Sequence, residues 1–151
     1  MIKQLAGSLF LAFFMFPACA QETPAEPAPA AATQSAPFSP VVVANGTIFL
    51  AGHLGRVPGT SDYPDGGIGE ETRQTLENIG ATLATVNASH ADLVRCQVFL
   101  ADIADFAEMN AAYRKFFPAN PPARTTVAVA GLAANASIEI ECTGIVGYSA
   151  R

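Results

Sequence analysis

The sequence contains few of the residues that usually form metal sites or nucleic-acid-binding surfaces. It has no tryptophan, three cysteines, and two histidines that lie far apart. No cysteine belongs to a CxxC pair or lies at ligand spacing from a histidine, so we expect no metal site. Lys and Arg total 8 against 13 Asp and Glu, which gives a net charge of −5. Because an acidic surface repels the phosphate backbone, nucleic acid is a disfavoured partner.

The first twenty residues have the pattern of an export signal. Lys3 precedes an apolar run at 9–16, and Ala18-Cys19-Ala20 has the small-x-small pattern of a cleavage site. The apolar run is too short for a comfortable transmembrane helix. We therefore predict a signal peptide over 1–20 and a periplasmic protein. An alternative stays open, in which Cys19 is lipidated and anchors the chain to a membrane.

The rest of the chain divides into a linker and one domain. Residues 21–37 are rich in Pro and Ala and nearly lack large apolar side chains, which predicts a disordered linker. Half of all residues are hydrophobic, which predicts a single folded domain over 38–151. Export makes a disulfide between Cys96 and Cys142 possible. The interpretation we favour is two buried, unpaired thiols.

Hydrophobic periodicity indicates the order β-β-α-β-α-β-β. The Asn45-Gly46 pair predicts a tight hairpin between the first two strands. Apolar residues at three- and four-residue spacing predict one helix over 69–87 and a second that begins at Asp102 or Asp105 and ends before Pro118. The predicted strands are 40–44, 47–52, 92–100, 125–130 and 137–146. The order favours an α+β fold with both helices on one face of a mixed sheet. The other face, half polar and half apolar, suits a subunit interface.

Two charged residues of the last two strands are candidates for a site. Arg124 begins one strand, and Glu139 lies fifteen residues further on in the other. If the strands form an antiparallel hairpin that turns near Gly131, the two side chains come roughly opposite each other. A slip of one residue would place them on different faces. The pattern alone does not decide between a functional site and a plain cross-strand ion pair.

Several segments together resemble the RidA/YjgF family of reactive imine deaminases. They occur in the family's order with family-like spacing, and the resemblance covers about residues 38–147. The segments are Phe38–Pro40, Phe49–Gly52, Glu71–Asn78, Val98–Asp102, Met109–Phe117, Pro122–Val127 and Ile138–Glu141.

The resemblance implies a chorismate-mutase-like α+β fold and a homotrimer with pockets between subunits. It also implies hydrolysis of enamines and imines, such as 2-aminoacrylate and 2-imino acids, to 2-keto acids and ammonia, without a cofactor. Arg124 matches the arginine that holds the substrate carboxylate, and Glu139 matches the acid that positions water. The other implied pocket residues are Asn110, Thr126, Gly52 and Phe38.

Three positions depart from the family pattern. Phe38 replaces the typical pocket tyrosine, Ala51 replaces a serine, and His53 replaces a glutamine. For His53 we favour a solvent-exposed residue at a strand end over a polar contact in the pocket. The lost polar groups leave a second function open, a trimer that binds or scavenges small carboxylates without turnover.

Overall fold

The computed structural model describes residues 37–148 and begins with a two-stranded hairpin. Strands β1 (Val41–Ala44) and β2 (Thr47–Leu50) are antiparallel. Asn45 and Gly46 have φ of 51° and 76°, the positive values that a two-residue type I′ turn needs, so the predicted hairpin is confirmed. The predicted signal peptide and all but the last residue of the predicted linker lie outside the described residues.

Two helices follow close to their predicted positions. Helix α1 spans Gly67–Ala84, ending three residues earlier than predicted, before Asn87 takes a φ of 55°. Helix α2 spans Phe106–Tyr113 and follows a 3-10 turn at Ile103–Asp105. Asp102 caps that turn, because its Oδ1 accepts a hydrogen bond from the backbone N of Ala104 at 2.9 Å.

The remaining strands complete one mixed sheet. They are β3 (His53–Leu54), β4 (Leu93–Leu100), β5 (Ala123–Ala128) and β6 (Ile138–Ile145). The order along the sheet is β1-β2-β6-β4-β5, and β3 also pairs with β6. Among the strands of residues 37–148, only β4 and β5 pair in parallel, because α2 returns the chain to the same end of the sheet. The short strand β3 lies where the sequence predicted a loop.

Both helices cover the same face of the sheet, as predicted. The core joins inward side chains of β2, β4 and β6 to apolar residues of α1 and α2; its fully buried members include Ile48, Leu76, Ile79, Val98, Met109 and Ile140. The opposite face of the sheet exposes large apolar side chains, since Val42 and Phe49 are each 49% exposed and Val127 is 42% exposed. This open face is therefore a candidate contact surface.

Two expectations about the sheet are wrong. β5 and β6 do not form a hairpin, because β4 lies between them and pairs with both. Cys96 and Cys142 are not free thiols, because they lie opposite each other on β4 and β6 and form a disulfide. Their burial was predicted correctly, since both side chains lie in the core. The pairing of β4 with β6 brings the two sulfurs together. The disulfide was missed because this pairing depends on the order of strands in the sheet.

Candidate functional site

Arg124 is held by helix α2. It lies on β5 beside Cys96 of β4, so its side chain is on the helix-covered face of the sheet. Its Nη2 donates a hydrogen bond to Oδ1 of Asn110 at 2.5 Å. Its guanidinium carbon lies 4.6 Å from the centroid of the Tyr113 ring, which is a cation–π distance. Asn110 and Tyr113 are one turn apart on α2, and together they orient the guanidinium.

The aromatic ring of Tyr113 packs against the guanidinium of Arg124. Burial raises the pKa of the Tyr113 hydroxyl to about 12, although the nearby charge of Arg124 acts in the opposite direction. The phenol is therefore neutral at physiological pH. Its hydroxyl is buried and has no hydrogen-bond partner among residues 37–148. Tyr113 was not among the site residues predicted from the sequence, and its position one turn after Asn110 was the signal that could have identified it.

A cavity of about 320 Å³ opens beside this cluster. Its lining includes Asn110, Tyr113, Arg124 and the Pro121-Pro122 pair that precedes β5. Thr126 follows two residues along β5 on the same face, and its hydroxyl is buried without a partner within the described part of the chain. We call Arg124, Asn110, Tyr113 and Thr126 the arginine cluster. It can bind an anion through Arg124, whose planar guanidinium matches a carboxylate.

Glu139 belongs to a second group of predicted site residues. This group lies along the edge of β6 that pairs with β3. The backbone of Glu139 pairs with Leu54, and its carboxylate packs on Gly52, where a β-carbon would lie 1.8 Å from Oε1. Only glycine therefore fits at position 52 with Glu139 in this place. Gly52 and Phe38 line a cavity of about 410 Å³. We call Glu139, Gly52 and Phe38 the glutamate cluster.

The start of β6, and with it Glu139, is tied to helix α1. Glu71 is buried in α1, and its Oε1 accepts a hydrogen bond from the backbone N of Ser137 at 2.8 Å and from that of Ile138 at 3.4 Å. This contact between Glu71 and the start of β6 was not predicted from the sequence. Glu71 is thus a positioning residue for the strand that carries Glu139.

The two clusters do not meet within one chain, so the predicted approach of Arg124 to Glu139 is wrong. Arg124 is beside Cys96, whereas Glu139 is beside Phe99, three positions along β4. The spacing of strands and residues puts their α-carbons roughly 14 Å apart. The side chains also lie on opposite faces of the sheet, since Cys96 is buried under the helices and Phe99 alternates with it.

His53 is not the solvent-exposed strand end that we favoured. It lines the cavity of the glutamate cluster, but both of its ring nitrogens are engaged within the chain. Its Nδ1 lies 2.8 Å from the carbonyl oxygen of Ala51, and its Nε2 lies 2.8 Å from Oγ1 of Thr82 in α1. Because the carbonyl only accepts, the neutral ring carries its proton on Nδ1 and accepts from Thr82. Burial lowers the pKa of His53, although Ala51 and Glu139 oppose the shift.

Residues 37–148 include no group of three His, Cys, Asp or Glu side chains that could hold a metal ion. Over the same residues, no helix has the length and apolar character needed to cross a membrane.

The fold and the two clusters together define a class of protein, an α+β domain with an arginine oriented beside one cavity and a carboxylate packed on a glycine beside another. The chain belongs to the family described as endoribonuclease L-PSP, which matches residues 27–146. This is the RidA/YjgF family that the sequence motifs resemble.

Two relatives and one solved structure illustrate the similarity. The chain is 43% identical over 117 residues to Reactive Intermediate Deaminase A, chloroplastic, of Arabidopsis thaliana, covering 78% of this chain and 61% of that protein. It is 37% identical over 111 residues to the 2-iminobutanoate/2-iminopropanoate deaminase of Homo sapiens, covering 74% and 81%. The structure of E. coli TdcF with bound serine superposes with a TM-score of 0.69 at 30% identity, covering 74% and 89%.

Proposed function

We propose that this protein hydrolyses reactive 2-imino acids and their enamine tautomers to 2-keto acids and ammonia. The observation that carries the proposal is Arg124, oriented by Asn110 and Tyr113 beside an open cavity. The deaminase names of the relatives agree with it. A substrate of this class carries a carboxylate next to the reacting carbon, and Arg124 is suited to bind that group.

The complete site requires two copies of the chain, because Arg124 and Glu139 point away from each other within one copy. A second copy packed on the open sheet face would bury Val42, Phe49 and Val127 and could bring its arginine cluster to the glutamate cluster of the first. A homotrimer, as in the family, forms three such sites. The apolar exposure of the open face supports this assembly.

The reaction needs positioning more than strong chemical activation. Arg124 binds the carboxylate, and Glu139 of another copy holds a water molecule near the imine carbon. The water oxygen bonds to that carbon while the C=N π electrons move to nitrogen, which takes up a proton. The resulting carbinolamine loses ammonia as its hydroxyl loses a proton, and the 2-keto acid remains. Atoms balance with one water consumed for each ammonia released.

The test generates a 2-imino acid in place with an amino-acid oxidase and measures ammonia release by the purified protein. We expect release faster than in the protein-free control. Arg124→Ala should abolish the acceleration, and Glu139→Gln should slow it. Release at the control rate would contradict the proposal, and stabilisation by 2-keto acids without turnover would favour the scavenging trimer instead.

We also propose that the protein works outside the cytoplasm, in the periplasm, after signal cleavage or attached through a lipidated Cys19. The Cys96–Cys142 disulfide supports this proposal, because such bonds persist mainly in oxidising compartments. Fractionation of producing cells, with mass analysis of the mature N-terminus, tests it. A cytoplasmic protein with an intact N-terminus would contradict it.

A further inference from the structure

The cavity of the glutamate cluster contains a cation that the proposed mechanism does not use. Arg56 follows β3 and lines this cavity together with Phe38 and Gly52. Its Nε is buried and has no hydrogen-bond partner within residues 37–148. The ion pairs in that part of the chain both involve Arg73, so no carboxylate neutralises Arg56 there.

The backbone around Arg56 is held firmly against helix α1. Nδ2 of Asn78 donates hydrogen bonds to the carbonyl oxygens of Leu54 and Arg56, each at 2.9 Å. At the intervening Gly55, a β-carbon would lie 2.5 Å from the carbonyl oxygen of Glu71. The base of the Arg56 side chain is therefore fixed, which reduces the entropy lost when the guanidinium binds a ligand.

The charge of Arg56 is uncompensated within the cavity. The lining contains no Asp or Glu, and most of its remaining side chains are apolar, among them Pro40, Leu54 and Ala133. His53 cannot accept from Arg56, because both of its ring nitrogens are already engaged by Ala51 and Thr82. A buried guanidinium nitrogen without a hydrogen-bond partner is unfavourable, and an anion that enters the cavity and accepts from Nε of Arg56 relieves that cost.

We propose that Arg56 binds a second carboxylate on the substrate, so that the preferred substrates are dicarboxylic 2-imino acids. This inference rests on the proposed function, in which Arg124 already binds the carboxylate next to the imine carbon. Arg56 lies on the glutamate-cluster side of the composite site and Arg124 on the other. A substrate with carboxylates at both ends spans these two cations, with its imine carbon beside Glu139.

The test compares two substrates of equal size. Amino-acid oxidases generate the imines of glutamate and glutamine in place, and ammonia release is measured with protein-free controls for each. We expect the wild-type protein to favour the glutamate-derived imine by about tenfold or more in kcat/KM, since only this substrate gives Arg56 a charged partner. Arg56→Gln should remove most of that preference, mainly through KM for the acid.

Lys115→Gln provides the matched control, because it removes one positive charge from an exposed position on another surface. It should leave the acid-to-amide ratio unchanged. The wild-type ratio is decisive even if Arg56→Gln fails to fold, because a protein that does not favour the acid overturns the inference.

Other outcomes separate this inference from the proposed function. Hydrolysis of both imines without preference would overturn the role of Arg56 and leave the deaminase proposal intact. Acceleration of neither imine would overturn the deaminase proposal and the inference with it. An Arg56→Gln protein that loses its assembly, while the remaining activity keeps the wild-type ratio, would assign Arg56 to a subunit contact and overturn the inference.

Discussion

Gly52 shows how a single residue can determine the position of a reactive group. Its missing side chain leaves the space that the Glu139 carboxylate occupies. Gly52→Ala should displace that carboxylate and lower kcat/KM about 100-fold, because a shift of about 1 Å in a positioning group costs roughly that much. Steady-state deaminase kinetics measure the loss, and circular dichroism should show a folded protein.

Gly131→Ala is a suitable control for this substitution. A β-carbon at Gly131 would meet no atom within 4 Å, and Gly131 does not have a positive φ. Activity should be close to wild type. A Gly52→Ala protein that is equally active would show that the position of Glu139 does not limit the reaction.

His53 should make the stability of the fold depend on pH. Its pKa in the folded protein is lowered from the usual 6.5, so the folded state binds fewer protons than the unfolded state in this range. The stabilising contribution of neutral His53 is therefore complete above the pKa that His53 has in the unfolded chain. This contribution is lost as the pH falls below about 6.5. Urea unfolding at pH 7.5 and pH 5.0 measures the difference.

A His53→Asn variant isolates this contribution, because the titration of the carboxylates is common to both proteins. We expect the wild type to lose more unfolding free energy than the variant between the two pH values. Equal losses would show that His53 has the same pKa in the folded and unfolded states.

At the scale of the elements, strand β4 organises the sheet. The alternation of apolar and polar residues along β4 was readable from the sequence, and the structure buries Cys96, Val98 and Leu100 on one face. The strands that pair with β4 could not be predicted from the sequence, because the pairing depends on where the chain re-enters the sheet after α2. The sequence therefore predicted which face of β4 is buried and missed that β4 separates β5 from β6.

The disulfide joins β4 to β6 in the core. Because it closes a sequence separation of 46 residues, replacing both cysteines with alanine should lower the unfolding free energy by about 2–4 kcal/mol. Urea unfolding measures this loss. A reductant should lower the stability of the wild type and leave the double variant unchanged.

Peptide mapping after alkylation under denaturing conditions checks the bond directly. Without reductant, neither Cys96 nor Cys142 should be alkylated. Quantitative alkylation of both residues in protein isolated from an oxidising compartment would show that the bond does not form.

At the scale of the whole molecule, the separation of the two clusters predicts complementation between variants that are impaired in different clusters. In one trimer, Arg124→Ala and Glu139→Gln copies together rebuild one native site out of three. Random mixing makes three quarters of the trimers mixed, so activity should recover to about a quarter of wild type, since 3/4 × 1/3 = 1/4. Arg124→Ala alone should show no acceleration, and Glu139→Gln alone should show only its slowed rate.

The mixing experiment uses co-produced variants with separate purification tags, and the control mixes two preparations of Arg124→Ala. Recovery well above the sum of the separate variants supports a site shared between copies. Recovery no greater than that sum would place both residues in the same copy's site, or show that the copies do not assemble as proposed.

The sequence by itself determined the local features of this protein. The Asn45-Gly46 turn, the apolar faces of both helices and the alternation along β4 and β6 follow from dihedral preferences and periodicity, which act between near neighbours. The same local motifs identified the family and nominated Arg124, Asn110 and Glu139.

Only the tertiary structure decided how these parts meet. It placed β4 between β5 and β6, joined Cys96 to Cys142, turned Arg124 toward α2 and left the buried Nε of Arg56 without a partner in the cavity of the glutamate cluster. These arrangements depend on strand order and packing between residues distant in the chain, and a one-dimensional pattern does not specify them. For that reason the sequence named the residues of the site, while the structure separated them into two clusters.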